Sequence, residues 1–537
     1  MRKISILFVF FVLFLLYSNV YSQYTNVTIF TPTLSSSPEE PSICINPKNP
    51  NILVAGANIN YVSYSTNGGL NWATAYALQS SSYGVWGDPC IICDTTGAFY
   101  YFHLSNPPSG GHWIDRIVCQ KSTNNGASFS NPGTYTFYSA NKDQDKEWAC
   151  VNPINNHIYV TWTQFDNYGS TSISDSSNIL FSKSTDGGLT WVNFGTSTAK
   201  RINKLGGDCI DSDNTTEGAV PCVGPNGEIY DAWAGPKIRN SLYGIFFNKS
   251  TDGGSNWLTE PVYVCDQPGG WDYMINGLQR SNGMPITCCD LSNGPYRGNV
   301  YIGYSDSLGP TNHDIKFVKS TNGGLNWSTP LRVNNDTTTR EQFMPWMTVD
   351  RKNGHIYFVF YDRRNYSNTA TDVYIARSTD GGNTFTNIKI SETPFTPTSG
   401  TFFGDYTNIT AYNGRVRPIW ARLQGTLSVL TAMIDFTVGV QNASQTVPSE
   451  YKLEQNYPNP FNPVTKISYS VKENAFVSLK IYNLIGQEVA LLVNENKQAG
   501  NYNLTFDVSG YNMSSGVYFC KLNAGNYSET IKMILTK

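Results

Sequence analysis

Ser250-Thr251-Asp252-Gly253-Gly254-Ser255-Asn256-Trp257 is one of six copies of a string, Ser-Thr-(Asn/Asp)-(Gly/Asn)-Gly-x-x-(Trp/Phe), whose repetition decides the fold. The other copies begin at Ser65, Ser122, Ser184, Ser320 and Ser378, so successive starts lie 57, 62, 66, 70 and 58 residues apart. That interval accommodates four short strands and their loops. Asp or Asn before Gly permits a tight turn with positive φ, and the closing aromatic can fold back between strands. Each copy follows a short alternating strand, such as Ile315 to Lys319 or Val373 to Arg377.

A second repeat precedes the first. It reads as a strand, a Gly or Asn turn and an aromatic-rich strand: Asp88 to Tyr100, Glu147 to Trp162, Glu217 to Trp233, Met284 to Tyr304, Met344 to Tyr361 and Asp405 to Trp420. A degenerate copy starts at Ser42-Ile43-Cys44, which makes seven modules. The last offers only three strands, and Tyr24 to Phe30 forms an orphan strand whose pairing with it would close a ring and remove exposed edges. The expectation is an all-β chain, a β-propeller with seven blades favoured over six, followed by a small C-terminal β-sandwich. Its parts are a signal peptide at 1–22, the propeller at 23–440, a linker at 441–450 and a C-terminal domain at 451–537.

Composition agrees: 14% of residues are aromatic and only 14% charged, with 46 glycines for turns. A net charge of -3 without a basic run argues against nucleic acid as a partner. Arg2-Lys3, the uncharged run Ile4 to Leu16 and Val20-Tyr21-Ser22 read as a cleaved export signal, leaving no transmembrane anchor after processing. Eleven cysteines follow; seven fall on the repeated inner strand, where buried thiols suit the packing better than a disulfide framework. Cys90 and Cys93 face opposite sides of a strand, and no His cluster accompanies them, so a zinc site is not expected.

The six strings resemble the Asp boxes (BNR repeats) of the sialidase superfamily over roughly residues 40 to 390, which implies a structural role for them. Sialidases have six blades and carry a binding arginine in a Phe/Tyr-Arg-Ile-Pro string, which is missing here. Leu453 to Pro463, Ile481 to Gly486 and Ser515 to Phe519 resemble a type IX secretion C-terminal sorting domain. That resemblance implies the outer-membrane secretion machinery as a partner. It also implies passage through the periplasm of a Gram-negative bacterium to the outer-membrane surface or the medium.

In such a propeller the first strand of each blade starts on the pocket face and the second returns to it, which sorts the charged residues. Tyr361, Asp362, Asp405, Glu147 and Glu217 are the candidate catalytic residues; a Tyr flanked by an acid is the sialidase type of nucleophile. Arg340, Arg363, Arg364, Asp88 and Tyr406 are the candidate substrate-binding residues, since guanidinium groups fork onto carboxylates. A Tyr-Asp-Arg-Arg corner can equally be an ion pair locking a loop. No cofactor is expected, with structural calcium left open. The expected function is a sialidase-like glycoside hydrolase or lyase acting on an acidic glycan or polysaccharide; the alternative is a non-catalytic propeller that binds glycans or proteins.

Overall fold

A computed structural model describes residues 24–536, apart from 109–112, 196, 213, 240, 308, 310–311, 437–439, 443–447, 449, 498, 509–510 and 512. The expected signal peptide and most of the expected linker lie outside the described residues.

Seven antiparallel sheets follow one another along the chain. Blade 1 is Ser42–Ile45, Leu53–Ala57, Tyr61–Ser65 and Tyr76–Ala77; blade 2 is Gly87–Cys93, Phe99–Leu104, Arg116–Ser122 and Thr134–Tyr138. Blades 3, 4, 5 and 6 begin at the inner strands Asp143–Val151, Glu217–Val223, Ile286–Cys289 and Gln342–Val349. Blade 7 has Asn408–Tyr412, Arg415–Gln424 and Thr426–Ala432, and its outer strand is Asn26–Phe30 from the other end of the chain, paired from Asn26↔Ala432 to Phe30↔Val429. Each inner strand touches those of the blades before and after it, and blade 7 touches blade 1, so the ring is closed and has no free edge at the seam.

The repeated strings join the third and fourth strands of blades 1 to 6 and cement each blade to the one before. Ser250 Oγ donates to Asp252 Oδ1 and accepts the Gly254 N–H, both at 2.8 Å, while Asp252 Oδ1 also accepts the Asn256 N–H at 2.8 Å. The same bonds recur from Ser65, Ser122, Ser184, Ser320 and Ser378. Glycine is required at Gly254 because its φ is +88° and a Cβ there would stand 2.2 Å from the Phe181 ring of the preceding blade.

Two further four-stranded sheets hold the C-terminal residues, ordered Val440–Asn442, Gly500–Asp507, Val464–Val471, Lys452–Leu453 and Glu488–Lys497, Ala475–Asn483, Gly516–Ala524, Tyr527–Leu535. They share one core that includes Ile467, Leu479, Leu504 and Leu522. Gln441 and Asn442, expected in a linker, pair with Asn503 and Tyr502 instead. All eleven cysteines are free thiols. No described helix is long and apolar enough to cross a membrane.

Candidate functional site

The inner strands start with a repeated distortion. Their pairing with the second strand slips in blades 2, 3, 4 and 6, between Gly87 and Cys90, Asp145 and Trp148, Glu217 and Val220, and Phe343 and Trp346. The extra residues Asp88, Lys146, Gly218 and Met344 all have positive φ, as does Glu40 at the matching place in blade 1. Four of these five are not glycine, which is unfavourable backbone, and such strain collects at functional sites. The distortion turns side chains from the strand faces toward the ring axis.

At the axis they form a cavity of about 260 Å³ whose wall includes Lys146, Tyr168, Asp211, Trp271, Arg280 and Asp405. Trp148 of blade 3, Trp346 of blade 6 and Tyr406 of blade 7 are buried and meet one another, with ring centroids 4.2, 5.4 and 6.3 Å apart. A larger groove of about 430 Å³ flanks blade 4, lined by Trp233 and Phe246; its charged residues are committed to the pairs Lys204–Glu260 and Lys237–Asp266.

Six carboxyl groups gather around two cations: Asp211 and Asp405 line the cavity, and Glu40, Asp88, Asp145 and Glu217 stand behind them. Arg280 Nε is 2.8 Å from Asp405 and its Nη2 is 3.6 Å from Glu40; Lys146 Nζ is 3.4 Å from Asp405 and 3.5 Å from Asp88. Like charges so crowded cannot all ionise, and the environment sorts them. Burial would raise Asp405, but Arg280 and then Lys146 overcome it and hold this carboxyl well below the usual range. Burial pushes Glu217 well up, reinforced by the carboxylates of Asp211 and Asp145. Glu40 rises for the same first reason, with Asp405 and Asp88 as its neighbours. Asp145 is raised to about 7 by burial, against the pull of Lys146, and it keeps some exposure to solvent. Asp211 is oriented by the Tyr168 hydroxyl, donating at 3.1 Å, and by Trp271 Nε1, donating at 2.8 Å.

Of the residues expected from sequence, Asp405 lines the cavity and Asp88 reaches the lining Lys146, while Tyr406, Glu217 and Glu147 are buried behind it. Glu147 is pushed well up by burial and then by Asp88, and neither of its oxygens meets a donor among the described residues. The Tyr361-Asp362-Arg363-Arg364 corner and Arg340 lie elsewhere. Tyr361 is sealed among Phe343, Phe395 and Phe403, and its hydroxyl donates to the Ala421 carbonyl at 2.9 Å. Arg364 clamps Asp362 at 2.6 Å and ties down Asn335 and Asn387. Arg340 donates to the Asn368 carbonyl at 2.8 Å. Arg363 is fully buried and donates to the Asn276 carbonyl at 2.9 Å, so it anchors the loop that carries Trp271 and Arg280.

Lys146, Glu40, Asp211, Arg280, Tyr168 and Trp271 were not expected. Lys146 and Glu40 occupy the repeat position of Asp88, so the repeat could have found them. Asp211, Trp271 and Arg280 sit on inter-blade loops outside the repeat. Among the described residues, no three His, Cys, Asp or Glu side chains are arranged to hold a metal ion.

Residues 455–536 match the family described as the secretion system C-terminal sorting domain, which marks the chain for export to the cell surface or the medium. No curated protein matches the chain. Among solved structures, an ulvan lyase bound to -[GlcA(1-4)Rha3S]- is similar at 12% identity and a TM-score of 0.47, over 76% of this chain and 96% of that one. The Penicillium chrysogenum α-L-arabinanase with arabinobiose is similar at 12% identity and 0.41, over 66% and 93%. The Trypanosoma rangeli sialidase with sialic acid is similar at 10% identity and 0.38, over 86% and 85%.

Proposed function

We propose that this exported propeller cleaves a glycan in the axial cavity by acid–base chemistry. The observation that carries the reading is the charged cluster at this cavity: Arg280 and Lys146 close on Asp405 at 2.8 and 3.4 Å and hold it well below the usual range, while Asp145, next to Lys146 in the chain, is raised to about 7 by burial. Carboxyl groups pushed apart in this way supply a proton donor and a fixed anion at the same pH. Asp145 protonates the glycosidic oxygen as the bond breaks. Asp211, held by Tyr168 and Trp271, faces the positive charge that develops at the sugar carbon, either stabilising it or activating water. Arg280 and Lys146 keep Asp405 ionised and orient sugar hydroxyls.

A sialidase-like mechanism has less support than general glycan hydrolysis. Tyr361, the expected nucleophile, is sealed in the core, and the tyrosine that does line the cavity, Tyr168, already donates its hydroxyl to Asp211. Its two cations already face Asp405, so a sugar carboxylate would have to compete for them. The test is incubation of the full chain with ulvan, arabinan, uronic-acid polysaccharides and fluorogenic sialosides, followed by analysis of reducing ends and unsaturated products. New saturated reducing ends are expected, with activity falling as pH rises through about 7, where Asp145 loses its proton. Unsaturated products would replace hydrolysis by elimination. Binding without any product would overturn the enzymatic reading in favour of a binding propeller.

A further inference from the structure

Most of the propeller's exposed aromatic rings stand in one place. Among the described residues, five propeller aromatics are strongly exposed, and four of them, Trp86, Trp113, Tyr135 and Tyr138, belong to blade 2 at 38–45% exposure. They fall into two runs, each with one half-buried neighbour. Tyr168, which lines the axial cavity and donates to Asp211, is 6.1 Å from Trp113 between ring centroids; Trp113 is 6.0 Å from Trp86. Farther out on the same face, Tyr83 meets Tyr135 at 5.5 Å and Tyr135 meets Tyr138 at 6.5 Å. Neighbouring rings meet edge to face, not stacked, and Trp86, Trp113, Tyr135 and Tyr138 each keep part of their surface exposed.

Arg116 keeps the outer rings apart. Its guanidinium lies 4.9, 5.2 and 4.3 Å from the ring centroids of Tyr83, Tyr135 and Tyr138, and Asp115 holds it by two hydrogen bonds of 2.7 Å. Cation–π contacts of this kind fix ring positions before a ligand arrives, and the Asp115 carboxylate cancels the charge. The surface is therefore apolar, rigid and neutral, and it is continuous with the cavity through Tyr168. Exposed apolar patches of this extent mark binding sites. The apolar C–H faces of sugar rings fit aromatic faces spaced in a row, and a neutral row has no preference for charged sugars.

We propose that this aromatic lane on blade 2 holds successive sugar units of a polysaccharide whose next unit enters the axial cavity, so that the protein engages the interior of a polymer and not only a terminal sugar. The inference rests on the glycan reading of the cavity. The experiment is affinity electrophoresis and calorimetry of the full chain with the same polysaccharide panel and with short oligosaccharides cut from whichever polymer binds, comparing wild type, Trp86→Ala/Trp113→Ala and Trp113→Tyr. Polymer binding by Trp86→Ala/Trp113→Ala should weaken by roughly tenfold or more. Binding of the shortest oligosaccharide should change little, Trp113→Tyr should restore most of the loss, and high salt should have little effect. Lane-dependent binding without turnover in wild type would overturn the catalytic reading and leave this one standing. Turnover and polymer binding unchanged in the lane variant would overturn this one alone. Failure of wild type to bind any polysaccharide, or equal loss of short and long ligands in a folded lane variant, would also overturn it.

Discussion

Replacing Arg363 by Ala distinguishes a guanidinium that touches substrate from one that holds the fold. Arg363 is sealed from solvent, with its Nε donating to Thr371 Oγ1 at 3.1 Å and its Nη1 to the Asn276 carbonyl at 2.9 Å. Glu341 is 3.9 Å away, the Phe343 ring centroid is 5.1 Å away, and burial drags the guanidinium down to about 10. Truncation leaves the Asn276 carbonyl without this donor and Glu341 with only Arg340, at 3.6 Å. Removing one partner of a buried pair costs about 3–5 kcal/mol. The surviving Arg340 contact places the expected loss at the lower end, about 3 kcal/mol. At roughly 2 °C per kcal/mol for a domain of this size, the melting temperature should fall by roughly 6 °C. Scanning calorimetry of the full chain measures that fall, and limited proteolysis reads the local effect, because the loop at 271–282 loses its anchor and should be cut sooner. An Arg363→Ala variant that melts and resists protease as wild type does, yet no longer binds glycan, would refute the reasoning.

Tyr361→Phe removes one buried hydrogen bond, to the Ala421 carbonyl, and should cost about 1 kcal/mol with turnover unchanged; abolished turnover would make this tyrosine a nucleophile after all. In Asp145→Asn the melting temperature should gain on wild type between about pH 4 and pH 7. The folded carboxyl, at about 7, lies above its unfolded value of 3.8, so stability present in acid is lost as pH rises through that window only in wild type. A constant difference across the window, followed by calorimetry, would contradict this. Reductant should leave the melting temperature unchanged, and alkylation of the unreduced, unfolded chain should label all eleven cysteines, as expected of free thiols; fewer labels would reveal a bridge.

The ring was legible in the sequence because every blade repeats one turn. Ser, Asp or Asn and the second Gly are each demanded by a bond or a close approach, so the string cannot drift. Closure by Tyr24 to Phe30 followed from counting strands. The site was half legible. Asp88 and Asp405 meet at Lys146 because inner strands start at the axis. The Tyr361 corner misled because the second strand lies one place farther from the axis, so its end meets neighbouring loops such as the one carrying Asn276 rather than the cavity. Lys146, next to the expected Glu147, shares Asp88's repeat position and positive φ, a signal that a reading for acids and arginines does not weigh. Asp211, Trp271 and Arg280 come from loops without a repeat, and only folding brings them together.

The central claim is that the axial cavity, with Asp211 in its wall and Asp145 next to the lining Lys146, breaks glycosidic bonds. Product release from the polysaccharide panel by the full chain, beside folded Asp211→Asn and Arg363→Lys variants, tests it most directly. The account expects saturated reducing ends from wild type, none from Asp211→Asn, and activity retained in Arg363→Lys. Full activity in Asp211→Asn would contradict it.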